Sequence, residues 1–183
     1  MKNRNAETAL CDGYKRKKRG FWAGIILLAA VCLSGCGKNE ELDQFYTQME
    51  AFTEEANQGF ETLRNVDPAS ETAVEDMLNA MDGLAASFQT LADISVPRQF
   101  HAIESLADEA GSYMTEAASL YREAYADGNY YENVAESALE NYNRAVERME
   151  YISEILQGEM PTGEDITITT ENAAPGFKED AEN

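Results

Sequence analysis

From residue 40 onward, apolar positions recur at steps of three and four through four successive segments, the spacing that places them on one face of an α-helix. In the first, residues 40–65, the stripe is Leu42, Phe45, Met49, Phe52, Ala56, Gly59, Leu63 and Val66. Asp67-Pro68 ends it: Asp67 is placed to cap a following helix, and Pro68 to fill its first position, where no amide hydrogen is needed. The second segment carries Val74, Met77, Met81, Leu84, Phe88 and Leu91 and stops near Ile94. Ser95 and Pro97 repeat the cap and proline ahead of a third stripe, Phe100, Ile103, Ala107, Ala110, Met114, Ala117, Leu120 and Ala124. Asp127-Gly128 closes that segment. The fourth starts about Tyr130 and aligns Tyr131, Val134, Ala138, Tyr142, Ala145, Met149, Ile152 and Leu156 before Gly158 ends it.

Four amphipathic segments of similar length with short connections predict an all-α fold, an up-down-up-down four-helix bundle over residues 40–158. The body contains no strand pattern, and its helices do not resemble one another at any fixed period, which argues against a solenoid. Residues 159–183 hold seven acids, one lysine and two prolines. Apart from the brief alternation in "ITITT" they have little to bury and read as an acidic disordered tail.

The first 35 residues have a different pattern. "KRKKR" is followed by 13 apolar residues, 21–33, and by the small pair Ser34-Gly35, the layout of a secretory signal peptide spanning residues 1–35. Eighteen uncharged residues separate Arg19 from Lys38, the lower edge of a membrane-spanning length, so length alone does not exclude a transmembrane helix. Leu33-Ser34-Gly35-Cys36 resembles the lipobox of bacterial lipoproteins. The resemblance implies that Leu33, Ser34 and Gly35 are the signal-peptidase recognition residues. It also implies that the Cys36 thiol receives a diacylglyceryl group and becomes residue one, with residues 36–39 a lipidated terminus and short linker. Of three cysteines, Cys11 and Cys32 fall in the leader, so the mature chain would keep a single, acylated one and build neither a disulfide framework nor a zinc site. The body, with its "VP" connection opening a Tyr- and Ala-rich helix, resembles small acidic helical lipoproteins of unassigned role from Gram-positive bacteria. That likeness implies a fold and a place at the outer face of the cell membrane, but no activity.

Charge separates the same two parts. Residues 1–35 carry seven basic against two acidic side chains, a balance of +5, and the remainder carries seven against 32, or −25. A body so acidic repels nucleic acid and anionic lipid head groups, which leaves the lipid anchor as the membrane contact and an envelope protein or component as the partner.

Candidate chemistry is sparse. His101 is the one histidine, and it lies off the apolar face of its helix with Glu104 three residues on. Di-iron bundles use Glu-x-x-His on two helices, whereas here the order is reversed and no second histidine exists. A haem could take His101 with a methionine, yet nothing in the pattern fixes a methionine opposite it. The acidic pairs Glu54-Glu55, Glu75-Asp76 and Asp108-Glu109 read as solvated outer faces, and none stands in a calcium-loop pattern. No phosphate-cradling glycine loop and no nucleophile elbow occurs, and a two-lobed solute receptor needs roughly twice this length. The expectation is a non-enzymatic, membrane-anchored binding or adaptor module without a cofactor; the alternative is a haem- or metal-binding helical bundle. Tyr121, Tyr125, Tyr130 and Tyr131 gather at the end of the bundle remote from Cys36, beside Asn129 and Asn133. They are either a partner-binding surface or a plug for the open end of the core, with Tyr131 the better core candidate because it continues the stripe of Val134 and Ala138.

The lipobox reading makes a direct prediction. Cys36→Ser leaves uncleaved precursor and abolishes retention of a mature form through a carbonate wash, followed by immunoblot of membrane fractions. Normal processing and retention of the Cys36→Ser protein would overturn it.

Overall fold

The structure, a computed structural model, describes residues 39–159 and Pro161. The leader, residues 33–36 and the acidic tail after Pro161 lie outside the described residues. Those described form four long helices and no strand: α1 (Glu40–Arg64), α2 (Ala73–Ala92), α3 (Ala102–Ala124) and α4 (Glu132–Leu156), with single 3-10 turns at Arg98–Phe100 and Ala126–Gly128. No helix among them is long and apolar enough to cross a membrane.

Each helix runs antiparallel to the next. Phe45 at the start of α1 stacks on Phe100 just before α3, with ring centroids 5.4 Å apart, while Phe52 and Phe60 meet Phe88 of α2 edge-on at 5.6 and 6.2 Å. Between α2 and α3, Asp82 pairs with Arg122 near one end and Gln89 donates to Thr115 (2.9 Å) further along. Between α3 and α4, Glu109 pairs with Arg148, and the Tyr131 N–H donates to the Ala124 carbonyl at 2.8 Å where the helices join. Tyr142 brings α4 back to Phe60 of α1, at 6.4 Å.

The apolar stripes face this common interior. Phe45, Phe52, Phe88, Met49, Met81, Leu84, Leu91, Ile103, Met114, Ile152 and Ile155 are its largest fully buried side chains. Phe60, outside the predicted stripe of α1, is buried as well, and Leu42, Leu63 and Val66 pack partly buried against the core at the helix ends. α1 and α4 close less tightly than the sequential pairs. A shallow apolar cleft, lined by Phe52, Phe60, Met149, Ile152 and Leu156 among others, runs between them and opens to solvent.

The predicted helix starts needed correction. Asp67 does not cap α2: its Oδ1 accepts the Ala69 N–H (2.9 Å) and its carbonyl the Ser70 N–H (3.0 Å), so it closes a turn that contains Pro68. α2 begins only at Ala73, its first buried residue, with the Thr72 hydroxyl donating to Asp76 at 2.8 Å. Residues 69–72 have nothing apolar to bury beyond Ala69, and their side chains satisfy the backbone locally, which competes with helix. Pro97 opens the 3-10 turn instead of α3, its carbonyl accepting from Phe100 N–H at 2.8 Å, and His101 takes the N-cap position in place of Ser95. α4 begins at Glu132 with Tyr131 extended before it (φ −106, ψ 95). Gly158, at φ +78, ends α4 as expected: the N–H groups of Glu159 and Gly158 donate to the carbonyls of Glu154 and Ile155.

Two helical glycines test the packing in opposite directions. A Cβ at Gly59 would stand 2.6 Å from Cδ2 of the buried Leu84, whereas a Cβ at Gly83 meets nothing within 4 Å. Gly83→Ala is expected to stabilise by about 0.5 to 1 kcal/mol through backbone entropy alone. Gly59→Ala gains the same but overpacks the α1/α2 contact by about 1 to 3 kcal/mol, for a net loss. Chemical denaturation of the two variants checks the pair.

Candidate functional site

The antiparallel order sets two ends. The start of α1, the α2/α3 connection and the end of α4 share one, as the Phe45–Phe100 stack and the cleft residues Met49 and Leu156 show. The α1/α2 and α3/α4 connections share the other. The 25 residues of α1 separate the two ends by about 37 Å at roughly 1.5 Å per residue.

The four sequence-predicted tyrosines all belong to the far end, but at different depths. Tyr121 is 2% exposed on the inner face of α3, and its hydroxyl has no hydrogen-bond partner among the described residues. Burial first, then the neighbouring Tyr142, Tyr125 and Tyr130, push its pKa far above the ordinary tyrosine value, so it stays neutral. Tyr125 is half-buried at the C-cap of α3 and leans on Tyr130, the centroids 5.1 Å apart and the planes at 44°. Tyr130 and Tyr131 are 37% and 45% exposed, the large apolar-bodied side chains left at the surface among the described residues. Tyr131 is therefore not the core residue that its register suggested. It precedes the first turn of α4, so its extended backbone breaks the three-and-four spacing that Val134 and Ala138 follow. Partial burial, then Glu132 and Glu136, raise the pKa of Tyr130.

The loop that carries these rings is closed by its own backbone. Asp127 (φ 55) and Gly128 (φ 71) turn the chain left-handed, a region that Asp tolerates and Gly occupies freely. The Asn129 N–H then donates to the Ala126 carbonyl (3.0 Å), and its side-chain amide to the Asp127 carbonyl (3.3 Å). With the Tyr131 to Ala124 bond, these contacts hold Tyr130 and Tyr131 on a short, tied connection. The arrangement leaves two aromatic side chains exposed among carboxylates.

His101 stands at the opposite end, its side chain 65% exposed, with Nδ1 2.9 Å from Glu104. No three His, Cys, Asp or Glu side chains among the described residues group as a metal site. The acidic pairs at 54–55, 75–76 and 108–109 are on the surface, though Glu109 also has a partner.

That partner, Arg148, is the residue that pattern reading missed. It is 4% exposed, its Nε donates to Glu109 Oε2 at 2.6 Å, and its guanidinium lies 5.7 Å from the ring centroids of both Tyr113 and Tyr151. Burial works against its charge, but the hydrogen bond and charge of Glu109, with Tyr113 and Glu147 beyond, hold its pKa above the ordinary arginine value. The available signal was Arg144 and Arg148 one turn apart beside the stripe, but the helical period alone assigned that place to Met149, which lies half-buried on the cleft. The pair behaves asymmetrically. Glu109→Gln removes the nearer acid from a buried cation, leaving Glu147 at 3.8 Å, and is expected to cost about 2 kcal/mol, less than a fully buried pair because Glu109 is half exposed. Arg148→Met, which keeps the packing and removes the charge, is expected to cost under about 1 kcal/mol. Urea denaturation of both variants measures the difference.

Comparison of the chain with family models, with curated proteins and with solved structures gives no match.

Proposed function

We propose that this chain is a membrane-anchored, extracytoplasmic lipoprotein whose residues 40–158 form an up-down-up-down four-helix bundle. In this reading the bundle is a non-enzymatic binding or adaptor module for a protein or other component of the cell envelope. The observation that carries the proposal is the pair of exposed tyrosines, Tyr130 and Tyr131, on a hydrogen-bonded loop at the end remote from residue 40. The anchor reading comes from Leu33-Ser34-Gly35-Cys36. Three residues separate Cys36 from the first residue of α1, a reach of about 10 Å at roughly 3.3 to 3.6 Å per residue. Such a short linker would seat the near end of the bundle on the bilayer and present the tyrosine loop outward. The acidic segment after Pro161, which is itself buried, remains in this reading a solvated tail.

Tyrosines at an interface contribute to binding more than exposed ones contribute to their own fold. Tyr130→Ala with Tyr131→Ala is therefore expected to abolish recovery of the envelope component that cross-links to the wild-type chain in intact cells. Helicity and the cooperative melt should stay unchanged. A double variant that recovers the same component as wild type, or one that loses its fold because the rings only plug the core, would overturn the reading.

A further inference from the structure

The geometry points to a lysine- or arginine-bearing segment of a protein partner as what the tyrosine loop takes, its cations set against the faces of Tyr130 and Tyr131 and between the carboxylates around them. This rests on the reading of the loop as a binding surface and adds the chemistry of its partner.

The first support is the composition of the surface itself. Tyr130 and Tyr131 are flanked along the chain by Asp127 and Glu132, with Glu136 one helical turn further and Glu123 on the last turn of α3; all four carboxylates are exposed. Two of them, Glu132 and Glu136, act electrostatically on the Tyr130 hydroxyl. Tyr121 is buried and does not belong to this exposed surface.

The second support is where the chain's own cations go. The described residues contain 26 Asp and Glu against five Arg and no Lys. Arg64 pairs with Glu61, Arg144 with Glu140, Arg148 with Glu109, and Arg122, the arginine nearest the loop along α3, is turned onto Asp82 of α2. Arg98 belongs to the opposite end. These pairs do not involve Asp127, Glu132 or Glu136, so among the described residues the negative field of the loop persists. It would steer a cationic segment inward and hold off anionic glycans, nucleic acid and acidic peptides.

The third support is that the chain already makes this kind of contact internally. Arg144 and Arg148 both stand 5.7 Å from the Tyr113 ring, and each also meets a carboxylate. A cation over a tyrosine face with an acid beside it is an arrangement that these residue types make favourably. At the tip, Tyr130 and Tyr131 present the same residue types, tyrosine with acids beside it, to solvent.

The test uses the full chain in zwitterionic detergent and a fluorescein-labelled octapeptide of alternating lysine and glycine, followed by anisotropy. A second peptide, identical but acetylated on every lysine, removes the charge and keeps the shape. The lysine peptide is expected to bind and the acetylated one not. Tyr130→Ala with Tyr131→Ala should weaken binding at least tenfold, the two Phe replacements should restore it, and Glu132→Gln with Glu136→Gln should weaken it several-fold. Glu54→Gln with Glu55→Gln, on the outer face of α1, should change it less than twofold. Circular dichroism confirms that each variant keeps its helicity. Equal weakening by both pairs of acid replacements, with no effect of the tyrosines, would mean diffuse attraction to a polyanion and would overturn the inference. Tyrosine-dependent binding of the acetylated peptide would also overturn it while leaving the loop a binding surface for a neutral partner. If neither peptide binds, the inference fails by itself, and the cross-linking experiment above decides separately whether the loop binds anything.

Discussion

Phe88 is fully buried and lies edge-on to Phe52 and Phe60 of α1, its backbone carbonyl 3.1 Å from where a Cβ on Gly111 of α3 would stand. The same ring lines the cleft that Met149 and Ile152 of α4 border. One α2 residue thus packs on α1, receives α3 at its backbone and faces α4 across the cleft. An isolated amphipathic helix of 20 to 25 residues gains little from propensity alone, and these helices are stable because each buries its stripe against the others. The glycine at 111 lets α3 approach the Phe88 backbone, and the glycine at 59 lets α1 approach Leu84.

Electrostatics work mostly against this compact state. With so many carboxylates and few cations the folded chain repels itself, and the arginines are spent where they relieve that repulsion between or along helices. The Arg122–Asp82 pair joins α3 to α2, and Arg148–Glu109 joins α4 to α3. Exposed pairs such as the first contribute little each. Arg148 differs because its guanidinium is out of solvent between two tyrosine rings, where loss of its partner matters more than the pair's net worth.

The same economy of cations shapes the end that carries Tyr130 and Tyr131. Their loop is only a few residues long and is tied by the Asn129 to Ala126 and Tyr131 to Ala124 backbone bonds. Tyr125 at the end of α3 packs on Tyr130 and ties the loop to that helix. A rigid aromatic surface surrounded by acids is the feature of this molecule that solvent sees and the core does not need.

Much of the fold was legible in residue spacing, because a stripe such as Phe45, Met49, Phe52 and Ala56 has only one way to be buried. The break at Asp127-Gly128 and the stop at Gly158 were legible for a related reason, since a left-handed backbone favours few residue types. Tertiary structure decided the rest. Asp67 and Pro68 form a good start signal, yet burial of Ala73 moved the helix start five residues on, because the residues between satisfy their own backbone and gain nothing from the core. Phe60 and Arg148 went inside because neighbouring helices met them there. At the candidate site the sequence determined which residues gather at the far end, through the lengths of α3 and α4. It could not sort them by depth, since Tyr131 fits an apolar register yet stands before the first turn of α4 and is exposed, whereas Tyr121 lies within α3 and is buried.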